Sequence, residues 1–203
     1  MTIKKHSVED SESTARSIRR KTSAALALSS GLRKITVGAG DEKKSFDVHV
    51  GLLAKHSAYF GALLEGEKLS GDKPTAKIDL KLPDEDPALF ELLSSFIYSG
   101  RICSEKEDAF YAAYDYDPEW DSLADAWLLG SKLESTSFMD AIADALVAKL
   151  QQSYPADMLT DLLDGSPQGS PIRQLLADIV TYEWGSHAYS EPFEELDDVD
   201  FLR

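Results

Sequence analysis

Residues 46–60 read Phe46-Asp47-Val48-His49-Val50-Gly51-Leu52-Leu53-Ala54-Lys55-His56-Ser57-Ala58-Tyr59-Phe60, and the change of pattern at His49 decides the fold. Ser45 to His49 is strand-like, whereas His49–Lys55 and Ala58–Leu64 are short apolar pieces of helix. Ser57 is placed to cap the second piece and Gly66 to end it. Upstream, Lys34-Ile35-Thr36-Val37 is again strand-like, and Gly38-Ala39-Gly40-Asp41 is a turn. A β-hairpin followed by two short helices is therefore expected. Downstream, Lys77–Leu82 alternates strictly, with Ile78, Leu80 and Leu82 on one side and Lys77, Asp79 and Lys81 on the other, which predicts a third, half-buried strand.

The second half reads as helices. Asp86 is a cap, Pro87 a first helical residue and Gly100 a stop, so both ends of one helix are chemically specified. Inside it Leu89, Leu92, Leu93, Phe96 and Ile97 make a single apolar stripe. Ser122 with Asp125 predicts a helix start running through Leu133, and Ser137 with Asp140 another, with the stripe Phe138, Ala141, Ile142, Ala145 and Leu146. Pro155 precedes a short helix ending at Gly165. Ser170-Pro171 begins the last one, with Ile172, Leu175, Leu176, Ile179 and Val180 at helical spacing.

The composition is that of a globular chain: 203 residues, 43% apolar and 28% charged, long enough to bury roughly 70% of the unfolded surface without metals or disulfides. Cys103 is the single cysteine, which excludes an intramolecular disulfide and a four-cysteine zinc site and suits a reducing compartment, cytoplasmic or nuclear. No apolar run approaches the ~20 residues that span a bilayer, and Met1–Asp10 lacks the apolar core of a secretory signal. The net charge of −15 is uneven, with residues 1–34 at +5 and the remainder at −20. The body is therefore expected to repel nucleic acid, whose recognition needs clustered Lys and Arg.

Residues 1–31 are expected to form a disordered basic Ser/Thr-rich arm. Within it Arg19-Arg20-Lys21-Thr22-Ser23 resembles a basophilic kinase site. Residues 186–203 read as an acidic, solvated tail. Chemistry finds no support: His6, His49, His56 and His187 are scattered outside any HExxH or CxxC context, Gly38-Ala39-Gly40 lacks the glycine and helix of a dinucleotide site, and no GxSxG is present. Acids around Cys103 discourage a thiolate. Asp115, Asp117, Glu119 and Asp121 lack the glycine and terminal glutamate of a calcium loop and read as solvated. No catalytic, cofactor or metal residue is assigned, and an enzyme would need His49 or His56 joined to the acids near Asp115.

The quoted stretch resembles the F-x-V-H-x-x-L-L-x-x-S-x-Y-F signature of BTB/POZ domains. Asp86–Gly100, ending Phe96-Ile97-Tyr98-Ser99-Gly100, is similar to that family's third helix. Trp127-Leu128-Leu129-Gly130-Ser131-Lys132-Leu133, Phe138-Met139-Asp140-Ala141 and Gly169–Asp178 resemble the fungal-type single-domain members, and the likeness spans about residues 32–185. Two places depart from it: Lys34 stands where the family's first strand usually carries an aspartate, and Ser104–Trp120 is longer and more aromatic than the usual link.

The resemblance implies an α+β fold, a small sheet flanked by helical hairpins, over residues 32–152, with a C-terminal helical extension over 153–185. It implies protein partners: a homodimer through the first helices, and in some members a cullin scaffold of a ubiquitin ligase or a transcriptional corepressor. By position, Val50 and Leu52 are dimer candidates as exposed members of the first helix, Lys55 and His56 line a groove, and Phe90 and Tyr98 lie where the family meets cullins. A cullin adaptor generally carries a second recognition domain, and only about fifty residues follow Gln152. No small-molecule substrate, direct nucleic-acid contact or membrane contact is implied.

Overall fold

The computed structural model of the protein describes residues 28–69, 80–104, 117–150, 162 and 164–182. β1 (Leu32–Val37) and β2 (Lys44–His49) pair antiparallel in the register Ile35↔Phe46 and Arg33↔Val48, joined through a short 3₁₀ turn at Gly40–Glu42. Gly38 holds φ +81° at the start of that turn, and a Cβ there would come 3.0 Å from Pro87 Cγ. Glycine thus serves both the backbone sign and the close approach. β3 (Leu80–Leu82) pairs parallel to β1, Ile35 beside Leu80 and Val37 beside Leu82, so the sheet is mixed with order β2-β1-β3. The expected alternation holds where described, Leu80 and Leu82 buried and Lys81 exposed; Lys77–Asp79 lie outside the described residues.

Among the described residues the longer helices are α1 (Val50–His56), α2 (Ala58–Leu69), α3 (Pro87–Ser99), α4 (Glu119–Lys132), α5 (Thr136–Leu150) and α6 (Pro171–Tyr182). α3 begins and ends as its sequence dictates. Asp86 Oδ1 accepts from the Ala88 N–H at 2.7 Å, and Gly100, at φ +70°, donates its N–H to the Phe96 carbonyl at 2.7 Å. These hydrogen bonds satisfy backbone groups that a helix end otherwise leaves unpaired. The buried face of α3 is Phe90, Leu93, Phe96 and Ile97, with Leu89 and Leu92 packed partly against it.

Three boundaries differ from expectation. α2 runs through Gly66 to Leu69, because one glycine costs a helix only about 1 kcal/mol. α4 starts at Glu119, before Ser122, with Asp117 Oδ1 accepting from the Glu119 N–H at 3.0 Å. Ser122 lies inside the helix, its hydroxyl donating to the Pro118 carbonyl at 3.0 Å, a back-bond open to any helical serine. α5 starts at Thr136, and the Ser135 carbonyl receives the N–H groups of Phe138 and Met139.

One core joins the sheet to all the helices. Ile35, Val48, Leu53, Phe60, Phe90, Leu123, Phe138 and Ile142 are almost wholly buried within it, each contributing on the order of 1.5–3 kcal/mol. α4 and α5 approach closely at Gly130, where a Cβ would sit 2.9 Å from Met139 Cγ and 3.1 Å from Phe138 Cδ1. Leu162, Ile172 and Leu176 are buried in the same cluster, and Gly165 abuts Leu128. The helix from Pro171 is therefore docked, with Ile172 and Leu176 as its buried stripe. Among the described residues no helix is long and apolar enough to cross a membrane.

Candidate protein-interaction surface

Three neighbourhoods hold the residues singled out in the sequence. The first is the N-terminal end of α1. His49 closes β2 and caps α1 without a side-chain cap bond. The first N–H groups of α1 are instead satisfied from upstream: Val50 donates to the Gly31 carbonyl at 3.0 Å and Gly51 to Ser30 Oγ at 2.7 Å. Ser30 and Gly31 thus pack against the start of α1. The other arm residues, 1–27, lie outside the described residues. Ser29-Ser30-Gly31 has cap chemistry in its sequence, but the capped helix starts about twenty residues later, so no local pattern reveals the pair.

His49 is half-buried and joined to α3 through Tyr98. The Tyr98 hydroxyl accepts the His49 backbone N–H at 3.1 Å and lies 2.8 Å from His49 Nδ1. The two rings meet edge to face at 5.8 Å. This leaves the Tyr98 ring outward, 39% exposed, near Leu32, which is 45% exposed and pairs with His49 across the sheet. Val50 is half-buried beside them and packs partly on the core.

The second neighbourhood is the corner between α1 and α2, which interlocks with the corner between α4 and α5. Ser57 donates its hydroxyl to the Leu133 carbonyl at 2.5 Å while accepting the Phe60 N–H at 3.2 Å, which fulfils its expected capping role. Ser135 reciprocates, its hydroxyl donating to the His56 carbonyl at 2.5 Å, and the Ala58 N–H reaches the Glu134 carbonyl at 3.2 Å. Both serines are almost fully buried. Buried hydroxyls without such partners would destabilise the corner by on the order of 1–3 kcal/mol each. Glu134 adopts φ +50° to form this corner, a conformation that costs a non-glycine residue about 1–2 kcal/mol.

His56 and Lys55 sit on that corner. Lys55 is exposed. His56 is half-buried, with Nδ1 3.2 Å from Ser137 Oγ and its ring edge-on to Phe96 at 5.7 Å. Burial first, and then the Lys55 ammonium, hold its pKa below the usual 6.5. Ser137, expected as a helix cap, is thus engaged with the imidazole.

Two of the candidate residues lie inside the core. Leu52, expected as an exposed member of α1, is 6% exposed, because it falls on the same inward side of the helix as Leu53. Phe90 has no exposed surface; its ring lies 5.0 Å from Phe46 and 6.5 Å from Phe60. Neither side chain presents a surface in this chain as folded. Val50, Lys55, His56 and Tyr98 do.

The third neighbourhood surrounds Asp117 and Glu119, which the sequence alone reads as solvated acids. Instead Lys149, with a side chain only 7% exposed, reaches Asp117 Oδ2 at 2.5 Å and Glu119 Oε2 at 2.6 Å. Its ammonium lies 5.3 Å from the centre of the buried Trp120 ring. The other Glu119 oxygen, Oε1, accepts the Ser104 hydroxyl at 2.6 Å. Burial pulls the Lys149 pKa down, but the hydrogen bonds to Asp117 and Glu119 and their charges outweigh it, so the net shift is upward from 10.5. A lysine penultimate in a mostly apolar helix is the only local trace of this arrangement. Asp115 and most of the Ser104–Trp120 stretch, residues 105–116, lie outside the described residues, as does the acidic tail. Among the described residues no three His, Cys, Asp or Glu side chains are grouped to hold a metal ion.

A mixed three-stranded sheet under helical hairpins, with reciprocal serine locks between the hairpins, defines an α+β module of the kind that works through its surfaces. The family model of the BTB/POZ domain matches residues 32–150, more than half of the chain, and the protein belongs to that family. No curated protein matches the sequence. BTB domains are protein–protein interaction modules and generally non-enzymatic, and the match places this chain among them. It ends at residue 150, so Leu162 and the α6 residues Ile172 and Leu176 lie in the core beyond the matched region.

Proposed function

We propose that this chain works by self-association, a homodimer formed around the N-terminal end of α1, and presents other partners with the surface left free. The observation that carries the reading is the apolar exposure gathered there: Leu32 at 45% and Tyr98 at 39%, bonded or paired to His49, beside half-buried Val50. Such rings and aliphatic groups suit the core of an interface, where charge is depleted. Lys55 and His56, one turn further along α1, are then rim or groove residues for a second partner. The stretches at 127–133 and 169–178 support reading the chain as a fungal-type member.

A cullin scaffold or a transcriptional corepressor would be such a second partner. The burial of Phe90 speaks against a direct cullin contact at that side chain, and Tyr98, part of the proposed dimer surface, would be open to a cullin only in a monomer. The test is sedimentation equilibrium of the full chain across micromolar concentrations, with Leu32→Asp and Val50→Asp variants. A dimer that these variants convert to a folded monomer supports the reading. A wild-type chain that stays monomeric throughout overturns it.

A further inference from the structure

We propose that His49 gates the dimer surface by pH: a proton gained by its imidazole weakens self-association. The inference rests on the homodimer proposed above and names what regulates it. His49 pairs with Leu32 across the sheet in a register that places both side chains on one face, and the Cβ atoms of such a pair lie ~4.5–5.5 Å apart. The Tyr98 ring meets the imidazole edge to face at 5.8 Å, and Val50 follows His49 in the chain. A second copy that buries Leu32 and Tyr98 therefore buries His49 as well.

The hydrogen bonds set the sign. The Tyr98 hydroxyl accepts the His49 backbone N–H at 3.1 Å and keeps its own proton to donate, and His49 Nδ1 stands 2.8 Å away. A neutral imidazole protonated at Nε2 accepts that proton at Nδ1. Once Nδ1 is protonated it becomes a donor, and the hydroxyl proton must turn away from His49. The ring then carries a full charge where an interface removes water, which is costly unless the charge is paired. Charged side chains on the surrounding elements give little relief. Lys34 and Asp47 share the outer face of the sheet with His49, but as an exposed pair opposite each other. Arg33 and Lys44 alternate to the other face, and Lys44 reaches Glu91 of α3 at 3.5 Å. Lys55 and His56 close the far end of α1. The separated protomer, with this patch open to water, accepts the proton more readily than the dimer, so association weakens as pH falls.

The test is sedimentation equilibrium of the full chain between about pH 7.5 and about pH 5.5, the span in which imidazole changes charge, with circular dichroism confirming the fold throughout. The dimer dissociation constant should rise at least about tenfold across that span. His49→Gln keeps an amide to meet Tyr98 but cannot charge, and its constant should move less than about twofold. His56→Gln should keep the wild-type response. The ring-nitrogen NMR shifts of His49 at the upper pH give a second readout, with the proton expected on Nε2. A wild-type dimer whose constant does not move with pH overturns the proposal and spares the dimer, whereas a chain monomeric at every pH overturns both. A full pH response surviving in His49→Gln, or a proton found on Nδ1 at the upper pH, also overturns the proposal.

Discussion

Replacing Phe90 by alanine separates a core role from a partner-binding role at a position where resemblance and structure point in different directions. The ring is fully buried, 5.0 Å from Phe46 and 6.5 Å from Phe60 at tilted and edge-to-face angles. Truncating a buried phenylalanine costs about 3–5 kcal/mol in transfer and cavity terms. The truncation also removes both ring pairs, each worth ~0.5–1.5 kcal/mol, which places this case at the upper end. Domains of this size are stable by about 5–15 kcal/mol, so Phe90→Ala should remain folded at room temperature with much of its margin gone. At roughly 2–4 °C per kcal/mol, the melting temperature should fall by on the order of 10–20 °C, read by circular dichroism and checked by urea unfolding. Tyr98→Phe, which removes only the hydroxyl facing His49, should cost about 0.5–1.5 kcal/mol. A Phe90→Ala protein melting within about 2 °C of its parent while losing partner binding would refute the core assignment and restore Phe90 as a surface for partners.

Other perturbations follow from the same geometry. His56 has a lowered folded pKa, so the unfolded chain binds a proton below pH 6.5 that the folded chain resists. Stability should therefore fall as pH drops from 6.5 through the folded value, and His56→Gln should flatten that part of a urea-midpoint profile. Lys149 has the opposite sign: its raised pKa contributes stability that is complete below 10.5 and lost as pH rises through the folded value. Lys149→Ala should destabilise by no more than the ~3–5 kcal/mol of a broken buried pair, because Asp117 is 37% exposed and solvent takes up part of its charge; calorimetry measures the loss. Glu134→Gly, at φ +50°, should raise stability by about 0.5–1 kcal/mol, measured by denaturant midpoint. Gly130→Ala should cost about 1–3 kcal/mol by overpacking against Met139 and Phe138, read from the same midpoint.

Legible in the sequence is whatever local chemistry specifies. α3 can be bounded because Asp86, Pro87 and Gly100 each satisfy or remove a backbone group within four residues. The hairpin is readable because Ile35, Val37 and Val48 alternate with more exposed neighbours across a glycine turn. The interlocked corners are only half readable. Ser57 caps its own helix, a local fact, but it also donates to a carbonyl seventy-six residues away. Helix starts at Ser122 and Ser137 mislead because a serine hydroxyl has alternatives to capping: one bonds back to Pro118 and the other meets His56. Residue type limits what a group can do, and only the fold selects among those uses.

The surface positions show the same limit from the other side. A family signature marks positions, not exposures, and α1 is seven residues long, so one step around it moves a side chain through about 100°. Val50 and Leu52 are two steps apart, which turns one partly outward and the other into the core. The ionic clasp is the stronger case. Lys149 lies thirty or more residues from Asp117 and Glu119, so composition reads the three as separate solvated charges. In the fold the ammonium bridges the two carboxylates, and Ser104 completes the set with a hydroxyl donated to Glu119. A buried ion pair adds little stability over an apolar one.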